Sequence, residues 1–115
     1  MHTDLDVYNR SMDLVEEIYN LTKQFPDYER YGLVSQINRA VVSIPSNIAE
    51  GAARGSTKDY CRFINIALGS ASELETLLRL SERLRLANTE NIIKDRLIPV
   101  QKMLYKQRVG LQRRI

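Results

Sequence analysis

Residues 55–86 read GSTKDYCRFINIALGSASELETLLRLSERLRL, and the spacing of apolar side chains in this stretch decides the fold. Tyr60, Ile64, Ala67, Ala71, Leu74, Leu78 and Ser81 recur at steps of three and four, which places them on one face of a helix. Phe63, Ile66, Ser70, Leu77, Leu80 and Leu84 form a neighbouring stripe that also takes in Glu73. A helix from about Thr57 to Leu86 with so broad an apolar face needs other helices to cover it. Its start is well marked. Gly55 suits the left-handed position that closes a preceding helix, and Ser56 followed by Asp59 reads as an N-cap with an acidic third residue. The small residues Gly69-Ser70-Ala71-Ser72 predict a close helix approach at mid-length.

Upstream, Val34, Ile37, Val41, Ile44 and Ile48 keep the same rhythm from about Arg30 to Arg54. Pro45 falls inside this run, removes a backbone donor and crowds the carbonyl of Val41. The pattern predicts one kinked helix, with two shorter helices split near Ser43 as the alternative. The two-residue link Gly55-Ser56 makes this helix and the next an antiparallel hairpin. Further upstream, Val7, Leu14, Ile18, Leu21 and Phe25, flanked by Tyr8, Met12, Val15 and Tyr19, predict a helix from about Asp6 to Gln24 that Pro26 ends. Downstream, Asn88-Thr89 offers a cap for a fourth helix, about Glu90 to Gln112, with the stripe Ile93, Leu97, Val100, Leu104 and Leu111 and a bend at Pro99. The reading is all-α: an up-down-up-down antiparallel four-helix bundle, residues 1–115 forming one domain.

Charge is distributed unevenly. Residues 1–29 carry seven acidic against two basic side chains; residues 94–115 carry seven basic against one acidic. Such asymmetry suits an anionic partner for the last helix, or acidic and basic faces meeting between subunits; a merely solvated basic helix is the plain alternative. With the apolar stripe turned inward, Lys102, Lys106 and Arg113 project from the opposite side, with Lys94 flanking. A row of this kind can follow phosphates, and without interleaved aromatics it would read charge and shape more than base sequence.

Several chemistries have no foothold in the sequence. A di-metal carboxylate bundle needs Glu-x-x-His pairs, yet the single histidine is His2, at a terminus expected to fray. One cysteine, Cys61, permits neither an internal disulfide nor a zinc site; it is expected to pack beside Tyr60, in a protein of the reducing cytoplasm. Gly51-Ala-Ala-Arg-Gly55 lacks the spacing and lysine of a phosphate loop. The expectation is therefore a non-catalytic protein with no cofactor and no bound metal. Polar residues do stand in unexpected places. Asn47, Glu50 and Arg54 lie along one strip of the second helix, where Glu50 and Arg54 can pair at i, i+4. Glu73 interrupts an apolar stripe and is expected to be paired, hydrogen-bonded or at a subunit contact, with Arg39 or Arg54 as candidate partner. A network that fixes helix register is the favoured reading and a ligand site the alternative.

Three blocks carry a family resemblance: Ser43-Ile-Pro-Ser-Asn-Ile-Ala-Glu-Gly-Ala-Ala-Arg54, Tyr60-Cys-Arg-Phe-Ile64 and Ala67-Leu-Gly-Ser-Ala-Ser-Glu-Leu-Glu75. They resemble the four-helix bundle proteins encoded in bacterial 23S rRNA intervening sequences, a group to which the accessory variability determinants of diversity-generating retroelements are related. The match centres on Pro45, Asn47, Glu50, Gly51, Arg54, Gly69, Ser70 and Glu73, and Tyr8 stands where the family often has tryptophan. The resemblance implies a homopentameric ring, a basic surface able to contact RNA or DNA, and, in the retroelement members, a reverse transcriptase as protein partner. It implies an architectural role for Pro45, Asn47, Glu50 and Arg54, and it implies no catalysis. Two functions follow as expectations: a nucleic-acid-binding oligomer, or a protein-interaction module in which acidic and basic helices dock onto neighbours. An enzyme would need a deep pocket ringed by Glu50, Arg54 and Glu73.

Overall fold

The computed structural model describes the backbone of residues 2–115 and the side chains from Leu5 onward; the side chain of His2 lies outside the described residues. Four helices run in the expected order. Helix α1 spans His2–Thr22, α2 Leu33–Ala53 and α3 Thr57–Arg83. Helix α4 spans residues 90–112 in three joined pieces: Glu90–Ile92, a π-helical turn at Ile93–Leu97, and Ile98–Gln112. At 1.5 Å per residue the 27 residues of α3 run about 40 Å, close to the 45 Å long axis of the 45 × 24 × 19 Å molecule. Helix α3 therefore travels nearly the full length of the antiparallel bundle, while the 21 residues of α1 and of α2 cover about 32 Å each. Among the described residues there is no strand.

The core follows the sequence rhythm. All five stripe residues of α4 are buried, as are Ile64, Ala67, Ala71, Leu74, Leu78 and Ser81 of α3 and Ile37, Val41, Ile44 and Ile48 of α2. Cys61 is buried among them as a small packing residue. On α1 the first expected stripe turns inward, and the second does so only in part, with Tyr8 and Val15 partly buried against the core. Val7, Leu14, Ile18 and Phe25 are buried, whereas Met12 and Tyr19 are exposed. Their places in the core belong to Ser11 and Thr22, which the apolar pattern passed over. Each can be buried because its hydroxyl donates to the helix itself, Ser11 to Tyr8 O at 2.7 Å and Thr22 to Tyr19 O at 3.3 Å.

Helix ends differ from the sequence reading in instructive ways. Helix α2 begins at Leu33, three residues later than expected, because a short 3₁₀ turn at Asp27–Glu29 intervenes and Glu29 Oε1 accepts the amide of Leu33 at 3.3 Å. It then continues through Pro45 as a single helix, which removes the split-helix alternative. Gly55 takes a φ of 76°, and Ser56 Oγ accepts the amide of Asp59 at 3.2 Å, the C′ and N-cap roles assigned to them. Helix α3 stops at Arg83, short of Leu86. Arg85 adopts a left-handed φ of 61°, its amide bonding Glu82 O and that of Leu86 bonding Ser81 O, each at 2.9 Å. Those two bonds make a Schellman cap with an arginine where glycine is usual. At the next corner Asn88 Oδ1 accepts the amide of Glu90 at 3.3 Å, while Thr89 donates its hydroxyl back to Leu78 O at 3.0 Å. Pro99, expected to bend α4, follows directly on the π-turn, in which the amide of Ile98 reaches back to Ile93 O. The wider turn accommodates a residue without an N–H while the helix continues.

Candidate nucleic-acid interface

Because Ile93, Leu97, Val100, Leu104 and Leu111 face the core, the polar residues of α4 are forced outward. Lys94, Lys102, Lys106 and Arg113 are all exposed. At 100° per residue Lys102, Lys106 and Arg113 fall within an arc of about 40°, and they span about 16 Å along the helix. Among the described residues no carboxylate lies within ion-pair distance of any of the three. Lys94 does not extend this strip. It lines a separate groove at the α3–α4 corner whose charge is mixed, with Arg79 and Arg83 beside Glu82 and Glu90.

Other cations of α4 turn toward the bundle. Arg96 Nε lies 2.8 Å from Glu17 Oε2, so the acidic first helix and the basic last helix meet within one chain at this point. Arg108 donates to Asn65 Oδ1 at 3.3 Å and lies over the ring of Tyr105, 4.9 Å from its centroid. Gln107 donates to Tyr60 Oη at 2.7 Å, and Gln101 donates to Glu75 Oε1 at 3.1 Å. The Gln101 bond is the main reason the Glu75 carboxyl is held below its ordinary pKa, reinforced by the Arg79 guanidinium at 2.9 Å. Sequence reading missed Gln101, Gln107 and Tyr60 as a set. Their partners lie 26 and 47 residues away, and no local spacing signals such a pairing.

The polar motif of α2 divides into parts. Pro45 is buried. Asn47 Nδ2 donates to Ser43 O at 2.7 Å and to Ser43 Oγ at 2.9 Å, and Ser43 Oγ shares a 2.8 Å hydrogen bond with Ser70 Oγ across the α2–α3 contact. Glu50 and Arg54 pair at 2.8 Å on the surface, as expected. Arg54 and Arg62 both lie over the ring of Phe63, 4.9 and 4.6 Å from its centroid. Glu73 joins neither group. It is exposed, near Arg39 at the edge of a hollow, with no ion pair among the described residues. The stripe that holds Glu73 straddles the edge of the core, with Phe63 and Leu77 buried and Ile66 and Leu80 each 41% exposed. Glu73 falls on its exposed side, where solvation replaces the expected partner.

Small residues govern the α2–α3 approach at two places. One is the expected mid-length stretch, where Ser70 meets Ser43 at 2.8 Å and Ala71 is fully buried, although Gly69 itself faces open space. The other is Gly51, where an added Cβ would lie 2.7 Å from Phe63 Cβ and 3.0 Å from Tyr60 Cδ1. Below this point Gly51, Gly55, Tyr60, Met103, Lys106 and Arg114 help line a cleft of about 630 Å³. Glu50, Arg54 and Glu73 do not ring it. Among the described residues, no three His, Cys, Asp or Glu side chains converge where a metal ion would sit, and no helix is long and apolar enough to cross a membrane.

Fold and surface together define an antiparallel four-helix bundle whose last helix presents an uncompensated basic strip. The chain belongs to the family of 23S rRNA-intervening sequence proteins, whose model matches residues 3–106. A solved structure from the S23 ribosomal protein family of Bacteroides thetaiotaomicron, a protein described as of unknown function, superposes with a TM-score of 0.83. It is 28% identical, over 92% of this chain and 97% of that one. No curated protein matches the chain.

Proposed function

We propose that this bundle is a non-catalytic module that binds RNA or DNA through the basic strip of α4 and works as an assembly of several copies. The observation that carries the reading is the exposure of Lys102, Lys106 and Arg113 along about 16 Å of one helix face with no acidic partner among the described residues. Duplex rises 3.4 Å per base pair, so a strip of that length faces the phosphates of about five steps. Membership in a family named for an intervening sequence of 23S rRNA favours RNA as the first ligand to try. Lys94, set apart beside Glu82 and Glu90, would contribute at most a flanking contact.

Self-association is supported by apolar side chains left at the surface of α3, with Ile66 and Leu80 each 41% and Leu84 52% exposed. A homopentamer is the assembly the family resemblance implies. The same surface supports a second reading, a scaffold that docks a protein such as a reverse transcriptase without touching nucleic acid itself.

Fluorescence anisotropy of labelled structured RNA across a salt series tests the choice, comparing wild type with Lys102→Ala/Lys106→Ala/Arg113→Ala at matched fold and mass. On the binding reading, the slope of log K against log salt shrinks by about 3 in the triple variant, close to one unit per phosphate contact. Absence of binding by wild type at low salt overturns this reading and leaves the protein scaffold. Sedimentation equilibrium reports the number of copies.

A further inference from the structure

A second surface combines features that the α4 strip lacks. Between α1 and α2 runs an open trough of about 650 Å³ whose lining includes Tyr19, Arg30, Tyr31, Asn38 and Arg39, with Val42 at its edge. Tyr31 is 90% exposed, an unusual position for an aromatic ring, and the Arg30 guanidinium lies 5.9 Å from its centroid. Tyr19, on the facing helix, is 40% exposed. Arg30 and Arg39 have no carboxylate within ion-pair distance among the described residues, and none lines the trough. Asn38 accepts from Thr22 Oγ at 3.1 Å through its oxygen, which ties α2 to α1 at the trough.

We propose that this trough takes unpaired nucleotides of a single-stranded nucleic acid, the bases stacking on Tyr31 and Tyr19 and the phosphates lying against Arg30 and Arg39. The proposal rests on the nucleic-acid reading above and adds to it a preference for unpaired strand. Aromatic faces interleaved with cations are what single strands require, because every base offers a π-face and every linkage a charge. A protein partner fits less well. The two arginines have no carboxylate within ion-pair distance among the described residues, and the nearby Glu73 does not pair with Arg39. Covering them with apolar protein surface leaves them desolvated with little compensation, whereas phosphates supply the missing charge. The trough lies on the α1–α2 side and the strip on α4, so the two surfaces can be tested separately.

The chain has six tyrosines and no tryptophan, so its tyrosine emission reports stacking directly. The full chain would be titrated with a short oligouridine and, separately, with a blunt RNA duplex. Emission should be quenched by the oligouridine. Tyr31→Ala should weaken oligouridine binding roughly tenfold, Tyr31→Ala/Tyr19→Ala more, and Tyr31→Phe little, with duplex binding unchanged throughout. Equal oligouridine affinity for wild type and the double variant overturns the trough while leaving the strip intact. A fall in particle mass in Tyr31→Ala also overturns it, by making the trough a contact between copies. Failure of wild type to bind either RNA at low salt overturns the trough and the proposed function together.

Discussion

At the α2–α3 contact the fit is made by backbone and small groups: Gly51 leaves room for Phe63 and Tyr60, and Ser43 meets Ser70 at 2.8 Å. Helix α4 joins the bundle differently. It inserts Leu97, Val100, Leu104 and Leu111, and flanks them with long polar side chains that reach α1 or α3, namely Arg96, Gln101, Gln107 and Arg108. Where a contact depends on a missing Cβ, the sequence has little freedom on either side of it. Where contact is made through side-chain tips, the opposite face of the helix is decoupled from packing and is free to carry charge. Lys102, Lys106 and Arg113 stand on such a face.

The largest expected effect tests whether α4 is part of the core at all. Leu104 is fully buried, and Leu104→Ala should cost about 2–5 kcal/mol through lost transfer energy and the cavity left behind. Urea denaturation followed by circular dichroism at one fixed protein concentration measures it. A cost below about 1 kcal/mol would mean that α4 is only loosely attached, and the contrast with the α2–α3 hairpin would need another basis. The next effect probes the hairpin. Gly51→Ala places a Cβ 2.7 Å from Phe63 Cβ, so the helices must shift. Overpacking of this kind costs about 1–3 kcal/mol, against which the better helix propensity of alanine returns up to about 1. If Gly51→Ala is neutral or stabilising, the close approach is not what defines this contact.

The two corners sharpen the comparison. Gly55 and Arg85 both take left-handed backbone conformations after a helix, with φ of 76° and 61°. Glycine adopts that conformation without a Cβ penalty; arginine does not. Arg85→Gly should therefore raise stability by up to about 1 kcal/mol, read as a higher urea midpoint. A loss instead would show that the arginine side chain contributes something there beyond its backbone position.

These corners also mark what the sequence makes legible. The Gly55-Ser56-x-x-Asp59 turn was readable because each residue type has its own local reason to be there. The end of α3 was not: apolar Leu84 and Leu86 keep the helical rhythm past Arg83, and nothing local distinguishes an arginine bound for the left-handed region. The same logic applies to the surfaces. Lys102, Lys106 and Arg113 were visible because the apolar stripe of α4 fixes the opposite face. The tyrosine trough was hidden because Tyr19 fitted an apolar stripe equally well, and only the burial of Ser11 and Thr22 shows which face of α1 turns inward. Glu73 differs from expectation for the reverse reason: its stripe runs along the edge of the core, burying Phe63 and Leu77 while leaving Glu73, Ile66 and Leu80 exposed.

The smallest effect concerns the polar side chains that tie α4 to α3. Glu75 accepts from Gln101 on α4 and pairs with Arg79 on its own helix, and both hold its carboxyl below the ordinary value, Gln101 most strongly. A carboxyl whose pKa is depressed by folding contributes stability in full above its unfolded value, and loses it as pH falls through the lowered folded value. The advantage of wild type over Glu75→Gln should therefore be present at pH 6 and fade between about pH 5 and pH 3. Glu75 is partly open to solvent, so the difference is a few tenths of a kcal/mol, to be read from paired urea midpoints at the two ends of that range. A difference that stays constant with pH would mean the carboxylate charge is immaterial to the link. The Gln101 amide would then be held by a neutral hydrogen bond that glutamine at position 75 can also accept. In that case the Gln101–Glu75 link would tie α4 to α3 by shape and neutral polarity, leaving Arg96–Glu17 as the ion pair that joins α4 to the bundle among the described residues.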